Sequence, residues 1–259
     1  MKQILFVLAF VCLQIILPAQ PLNDITKRTT LREKSLLAWS PIHERDILWE
    51  KKLWRVLDVR EKMNLPFIYP PKPLFQIITQ AALDGQIPLY SAERDDFSIP
   101  LSESEIAELL YRTDTALIFD PTDYSEKVVV VKNALNYEDV KRFRIKETWF
   151  FDSQTSTLRV RILGIAPLLE VYDENGNFRH EKPLFWIHYP SSRELLSHEL
   201  AYAEGNDSSP MTWEDLFESR HFSSHIYKVS NVRDNRLQDL YSGVDLLLEA
   251  DKINQSIFN

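Results

Sequence analysis

Cysteine is all but missing from this chain: the single one, Cys12, lies inside the apolar leader MKQILFVLAFVCLQIILPAQ. Lys2 precedes an apolar run from Ile4 to Leu17, interrupted only by Gln14, and Pro18 and Ala19 follow. This layout predicts a secretory signal peptide over residues 1–19, cut near Ala19 or Gln20. The run is shorter than the roughly 20 apolar residues a membrane span requires. Val11 before Cys12, and an apolar run that continues past it, argue against a lipid-modified cysteine. Cleavage would leave no thiol, which excludes disulfides, a thiol nucleophile, thiolate-bound zinc and iron–sulfur clusters from the mature chain.

Glycine is also scarce. There are 5, at Gly85, Gly164, Gly176, Gly205 and Gly243, and no two are close in sequence. Loops that cradle phosphate need clustered glycines so that backbone N–H groups can approach the anion, so P-loop and dinucleotide fingerprints are excluded. Positive charge is in deficit as well: 30 basic against 38 acidic side chains give a net charge of −8, or −9 once Lys2 is removed. Nucleic acid is therefore a poor partner, because its binders present a basic face. A chain of this size buries about 70–75% of its extended surface and has no need of disulfides for a core.

What is present reads as one α+β domain over residues 40–259, preceded by an extended arm over 20–39 that is polar and without period. The spacing of Trp49, Leu53, Val56 and Met63, widened by Trp54 and Leu57, predicts an amphipathic helix starting at Ser40 and Pro41 and ending near Asn64 and Pro66. A short helix is expected over Leu74 to Asp84, closed by Gly85. Ser102 and Glu105 form a capping box for a helix through Leu110. Val128 to Val131 open a strand. An antiparallel meander follows, with strands from Phe143 to Phe151 and from Leu158 to Ile165, a bulge or edge at Pro167, and a tight turn at Asn175-Gly176. Arg193 to Tyr202 reads as a helix, or a helix then a strand. Thr212 caps a short helix, SSHIYKVS alternates like a strand, and VDLLLEADKINQSIF is helical in pattern.

No catalytic constellation emerges. Gly–x–Ser–x–Gly is absent, and His198-Glu199 lacks the second histidine of a zinc-protease helix. His221 and His225 have i,i+4 spacing, and with Asp215 or Glu218 they could form a metal site, but the pair straddles a helix end and better suits solvated or core histidines. Asp95-Asp96 and Glu214-Asp215 suit caps and solvation, and Asp120-Pro121-Thr122-Asp123 and Asp173-Glu174-Asn175-Gly176 are turn sequences without calcium-loop spacing. Aromatic residues are more telling. Trp149, Phe150 and Phe151 are consecutive, as are Phe185 and Trp186, so large rings must point to both faces of their strands. Such strands are sandwiched under helices or exposed for a partner.

Four long segments, LWEKKLWRVLDVREKMNLPFIYP, FRIKETWFFDSQTSTLRVRILGIAPL, PLFWIHYP and DLFESRHFSSHIYKVSNVRD, in that order, resemble the GldN/PorN family over about Ser40 to Asn254. These are periplasmic components of the Bacteroidetes gliding-motility and type IX secretion machinery. The resemblance implies a non-enzymatic part of an envelope machine with no cofactor. It would associate with a GldK/PorK-like outer-membrane lipoprotein in a ring and couple to GldL/GldM-like (PorL/PorM-like) inner-membrane motor proteins. A ring subunit needs at least two partner-facing surfaces. Trp49 and Trp54, the hairpin cations Arg144, Lys146, Arg159 and Arg161, and the 20–39 arm are the candidates, since Trp and Arg are often energetic at interfaces. Two other classes compete: a soluble periplasmic module binding a peptide or glycan through exposed aromatics, and a metal-dependent periplasmic hydrolase using His221 and His225.

Overall fold

A computed structural model of the chain describes residues 34–69, 72–119, 126–173, 175–202 and 211–258, with backbone alone over 112–133 and at 258. The expected signal peptide, most of the arm, the Asp120–Asp123 turn and the GNDSSP loop lie outside the described residues.

The architecture is α+β. The central seven-stranded sheet has the order β2-β8-β6-β5-β1-β9, with β7 also paired to β6. Its strands are β1 (Ile47–Asp58), β2 (Leu89–Tyr90), β5 (Val140–Asp152), β6 (Thr157–Tyr172), β7 (Phe178–Pro183), β8 (Trp186–His188) and β9 (His225–Val229). All their pairings are antiparallel. A separate two-stranded sheet joins β3 (Tyr111–Phe119) to β4 (Glu126–Ala134), so the valine run does form a strand. The helices are α1 (Leu74–Leu83), α2 (Glu103–Leu110), α3 (Tyr189–His198), α4 (Trp213–Glu218), α5 (Leu237–Leu240) and α6 (Gly243–Phe258).

The long helix expected from Ser40 to Met63 does not exist. Glu44–Asp46 is a single 3-10 turn, Ile47–Asp58 is β1, and Lys62–Ile68 is another 3-10 segment with Pro66 inside it. The error has a physical cause. Leu53 to Leu57 is buried on both faces of the sheet, and a strand covered on both sides loses the alternation that marks a half-buried one. Its apolar residues then mimic a helical stripe.

Local signals fared better. Ser102 and Glu105 close a reciprocal capping box on α2, and Thr212 with Asp215 does the same on α4. Gly176 has φ +78° in the β6–β7 turn, where Asp173 accepts hydrogen bonds from the backbone N–H groups of Asn175 and Asn177. Pro167 sits beside a register shift in the β5–β6 pairing. After α3 the chain makes only an isolated bridge, Leu200 to Thr212.

The register divides the sheet into two faces. Leu57, Phe143, Ile145 and Ile165 face a core completed by Leu74, Ile78, Trp213 and Phe217 of α1 and α4. Phe67 sits inside this core, with ring centroids 5.0 Å from Trp213, 5.6 Å from Phe143 and 5.8 Å from Phe217. Leu53, Trp149 and Ile226 pack against Leu237 of α5 and Ala250 and Ile257 of α6. The opposite face has only a small buried patch, Trp54, Ala166 and Trp186, flanked by Tyr90, Phe97 and Tyr227. Trp149, Phe150, Phe185 and Trp186 are all buried. These four rings are therefore covered, but Trp186 is covered by Phe97 and not by a helix.

The last residues of the 20–39 segment are tied into the fold. The Leu37 carbonyl accepts from Arg193, its N–H donates to Glu214, and the Trp39 indole N–H donates to Glu218 at 3.0 Å. The Trp39 ring lies under two guanidiniums, Arg193 at 4.1 Å and Arg161 at 4.3 Å.

Candidate functional site

On the less covered face of the sheet lies a recess of about 650 Å³. Its floor is a checkerboard of cations and rings. Trp54 of β1 stands directly opposite Lys146 of β5 on one side and Lys228 of β9 on the other. Both ammonium groups lie near the indole, Lys228 Nζ at 4.5 Å and Lys146 Nζ at 5.5 Å from the ring centroid. Arg144, two residues before Lys146, lies over the Tyr227 ring at 4.5 Å. Lys52, Trp186 and Arg236 also line it, as does Arg94, which pairs with Asp96, and further acidic residues stand around them.

Two loops supply most of those acids. Asp95 meets Lys146 through its backbone carbonyl at 2.5 Å and through its carboxylate at 3.3 Å. Asp234 meets Lys228 at 2.5 Å. The loop carrying Asp95 is anchored by Phe97, whose ring packs edge-on against Tyr90, Trp186 and His188. Phe97 takes φ +57°, a backbone conformation few side-chain-bearing residues adopt. Gly164 of β6 accommodates its ring: a Cβ there would lie 2.5 Å from Phe97 Cζ.

Three cations of the recess, Lys52, Arg144 and Arg236, have no carboxylate partner among the described residues. Arg144 is half-buried, its Nε is closed off from solvent without an acceptor, and Trp54 Nε1 is in the same condition. Burial pulls the Arg144 guanidinium below its ordinary value, and nearby Arg236 adds repulsion. Burial also pushes the Tyr227 phenol up, against the pull of Arg144 and Arg236. Glu181 and Asp95 attract Arg144 from a distance, but no carboxylate among the described residues touches it, and a desolvated cation so placed is an unfavourable arrangement that an incoming anion relieves.

The structure brings together three of the six residues singled out from sequence: Trp54, Arg144 and Lys146 line the recess. The other three do not. Trp49 lies near the start of β1, 38% exposed and paired with Phe151. Arg159 bonds Asp152 and Ser40, and Arg161 stacks on Trp39. Nor do the two tryptophans share a helix face, since an odd number of strand positions separates them and they point to opposite faces of β1. Sequence reasoning missed Tyr227, Lys228, Arg236 and Trp186 as site residues. Tyr227 and Lys228 signal themselves only through the alternation in SSHIYKVS, which cannot show that β9 pairs with β1; Trp186 stood out only as one of two consecutive rings, and Arg236 carries no signal.

His221 and His225 both follow the turn after α4, in which Arg220 has φ +54°, and His225 opens β9, so the pair does not straddle the helix end. Among the described residues no group of three or more His, Cys, Asp or Glu is placed to hold a metal ion. Also among them, no helix is long and apolar enough to cross a membrane.

The family described as gliding motility associated protein GldN matches the chain over residues 42–259. The chain belongs to the GldN family. That match takes in every strand and helix above, so the fold is the GldN fold and the recess is a feature of this GldN member. No curated protein matches the chain.

Proposed function

We propose that this GldN-family protein is a non-enzymatic structural component of the type IX secretion and gliding machinery. In this reading it is exported by its N-terminal signal segment and works in the periplasm. There it assembles with a GldK/PorK-like outer-membrane lipoprotein into a ring and couples to a GldL/GldM-like inner-membrane motor. The observation that carries the reading is the family match across the whole folded unit. The surface is compatible with assembly: α6 buries Ala250 and Ile257 yet leaves Val244, Leu247 and Leu248 at 71%, 58% and 52% exposure, beside Leu240 at 59%. Apolar side chains recurring in this way on an outward helix face mark interaction surfaces.

The test is recovery of the tagged protein from gently solubilised native envelopes, with negative-stain imaging of the eluate. Rings that contain a co-purifying lipoprotein are expected. A monomer free of partners in repeated preparations would sink the reading. It would favour instead a soluble periplasmic peptide- or glycan-binding module, for which the aromatic floor of the recess is the supporting observation.

A further inference from the structure

We infer that the recess over β1, β5 and β9 is a docking site for an extended acidic segment of a partner polypeptide, whose carboxylates pair with Arg144, Arg236 and Lys52. This deepens the assembly reading and rests on it for the partner being a protein.

Three observations converge. The first is chemical: these cations have no carboxylate in direct contact among the described residues, whereas Lys146 and Lys228 of the same floor are neutralised by Asp95 and Asp234. Trp54, 7% exposed, adds an indole N–H with no acceptor. The second is spacing. Lys52 on β1 lies opposite Thr148 and Arg144 on β5 lies opposite Val56, so these two cations stand four strand positions apart, about 14 Å along the ladder. Carboxylates four residues apart on an extended peptide are separated by that same distance, whereas a single small oxyanion is best held by donors converging on one point. Between the cations stand the Trp54 and Tyr227 rings, which offer apolar contact to the peptide's intervening side chains.

The third observation concerns selectivity. Glu93, Asp95, Asp96 and Glu181, the last paired with Arg142, line the same recess. They repel a dense polyanion such as nucleic acid but leave room for carboxylates spaced along a peptide. Asp234 is 79% exposed while its partner Lys228 is 11% exposed. A docking carboxylate can therefore replace Asp234 on Lys228 at little cost to the fold.

The test uses the purified full chain and three probes: a soluble dodecapeptide alternating glutamate with threonine, its glutamine counterpart, and inorganic phosphate. Binding is read by calorimetry and by tryptophan emission, since Trp54 and Trp186 line the site. The glutamate peptide should bind saturably, with the glutamine peptide and phosphate each weaker by about tenfold or more. The charge reversal Lys52→Glu with Arg236→Glu, both at exposed residues, should abolish binding and leave the thermal melt unchanged. Arg144→Met should weaken binding by about tenfold without lowering the melting temperature, because it removes a desolvated, unpaired charge.

No saturable binding of the glutamate peptide, equal binding of the glutamine peptide, or full affinity in the charge-reversed variant would overturn the inference. Phosphate binding as tightly as the glutamate peptide would overturn it too, by showing a small-oxyanion site. The two readings fail separately. If the unaltered chain yields no lipoprotein-containing rings, the assembly reading falls whatever the peptides do. Rings that persist in the charge-reversed variant remove the recess from assembly and leave the assembly itself standing.

Discussion

Glu147 offers the sharpest test of how this fold is held together. Its side chain is fully buried in β5, where the carboxylate meets Arg220 at 2.7 Å and Arg55 at 3.6 Å. It also accepts the Trp149 indole N–H at 2.9 Å. Arg55 is itself buried, its Nη1 has no hydrogen-bond partner, and burial lowers its pKa against the pull of Glu147. Glu147→Gln keeps the shape and the indole bond but strands Arg55 as a buried cation without its counter-charge. Breaking a buried pair by removing one partner costs about 3–5 kcal/mol. The isosteric amide, which still accepts hydrogen bonds, places the cost near the lower end. Urea unfolding followed by tryptophan emission is the assay. With a slope of about 2–3 kcal/mol per molar urea, the midpoint should fall by about 1–2 M. Adding Arg55→Met should recover about 1–2 kcal/mol, because the stranded charge leaves with its partner. A single-variant loss below about 1 kcal/mol, or a double variant no better than the single, would refute the charge argument.

Three further outcomes are expected. Phe67→Ala, which removes a ring packed against Phe143, Trp213 and Phe217, should cost about 3–5 kcal/mol in the same assay, and a loss near zero would mean that this core is not as described. Gly164→Ala should drive Phe97 from its seat, costing about 1–3 kcal/mol by overpacking and loosening the Asp95–Lys146 contact, measurable as faster amide exchange across 93–98. Thermal stability should fall as pH drops from about 7.5 to about 5, because His188 and His225 are held below the ordinary imidazole value, His188 by burial and His225 by burial and then Arg142. For a lowered pKa the unfolded chain binds the proton first, so stability is intact above the ordinary value of 6.5 and lost as pH falls through the folded one. His225→Gln should flatten that slope. A second loss is expected below the carboxylate range, where Asp58, held down by Arg60 and then Arg142, is protonated. A melting temperature flat across the histidine window would contradict the first part.

Features that need only near neighbours were legible in the chain. The capping boxes at Ser102 and Thr212, the turn at Asn175-Gly176 and the end of α1 at Gly85 each close within a few residues. Their geometry follows from the side chains present. The 143–165 hairpin was legible too, since its two runs alternate and face each other across a short turn. Family membership was likewise carried by long contiguous segments.

Tertiary structure alone made Ile47–Asp58 a strand, because its apolar residues serve two faces at once and so do not name their own period. It alone buried Glu147 against Arg220, 73 residues away, and fixed Leu37 and Trp39 to Glu214 and Glu218. The recess is the clearest case. Trp54, Lys146 and Lys228 meet only because β5 and β9 pair on either side of β1. Such pairing is set by the register of distant backbone hydrogen bonds, and a one-residue slip would send each of these side chains to the other face. Near-neighbour chemistry, readable along the chain, set which residues could cap, turn and alternate. Long-range register, settled only when the sheet closes over its core, decided which of them stand together.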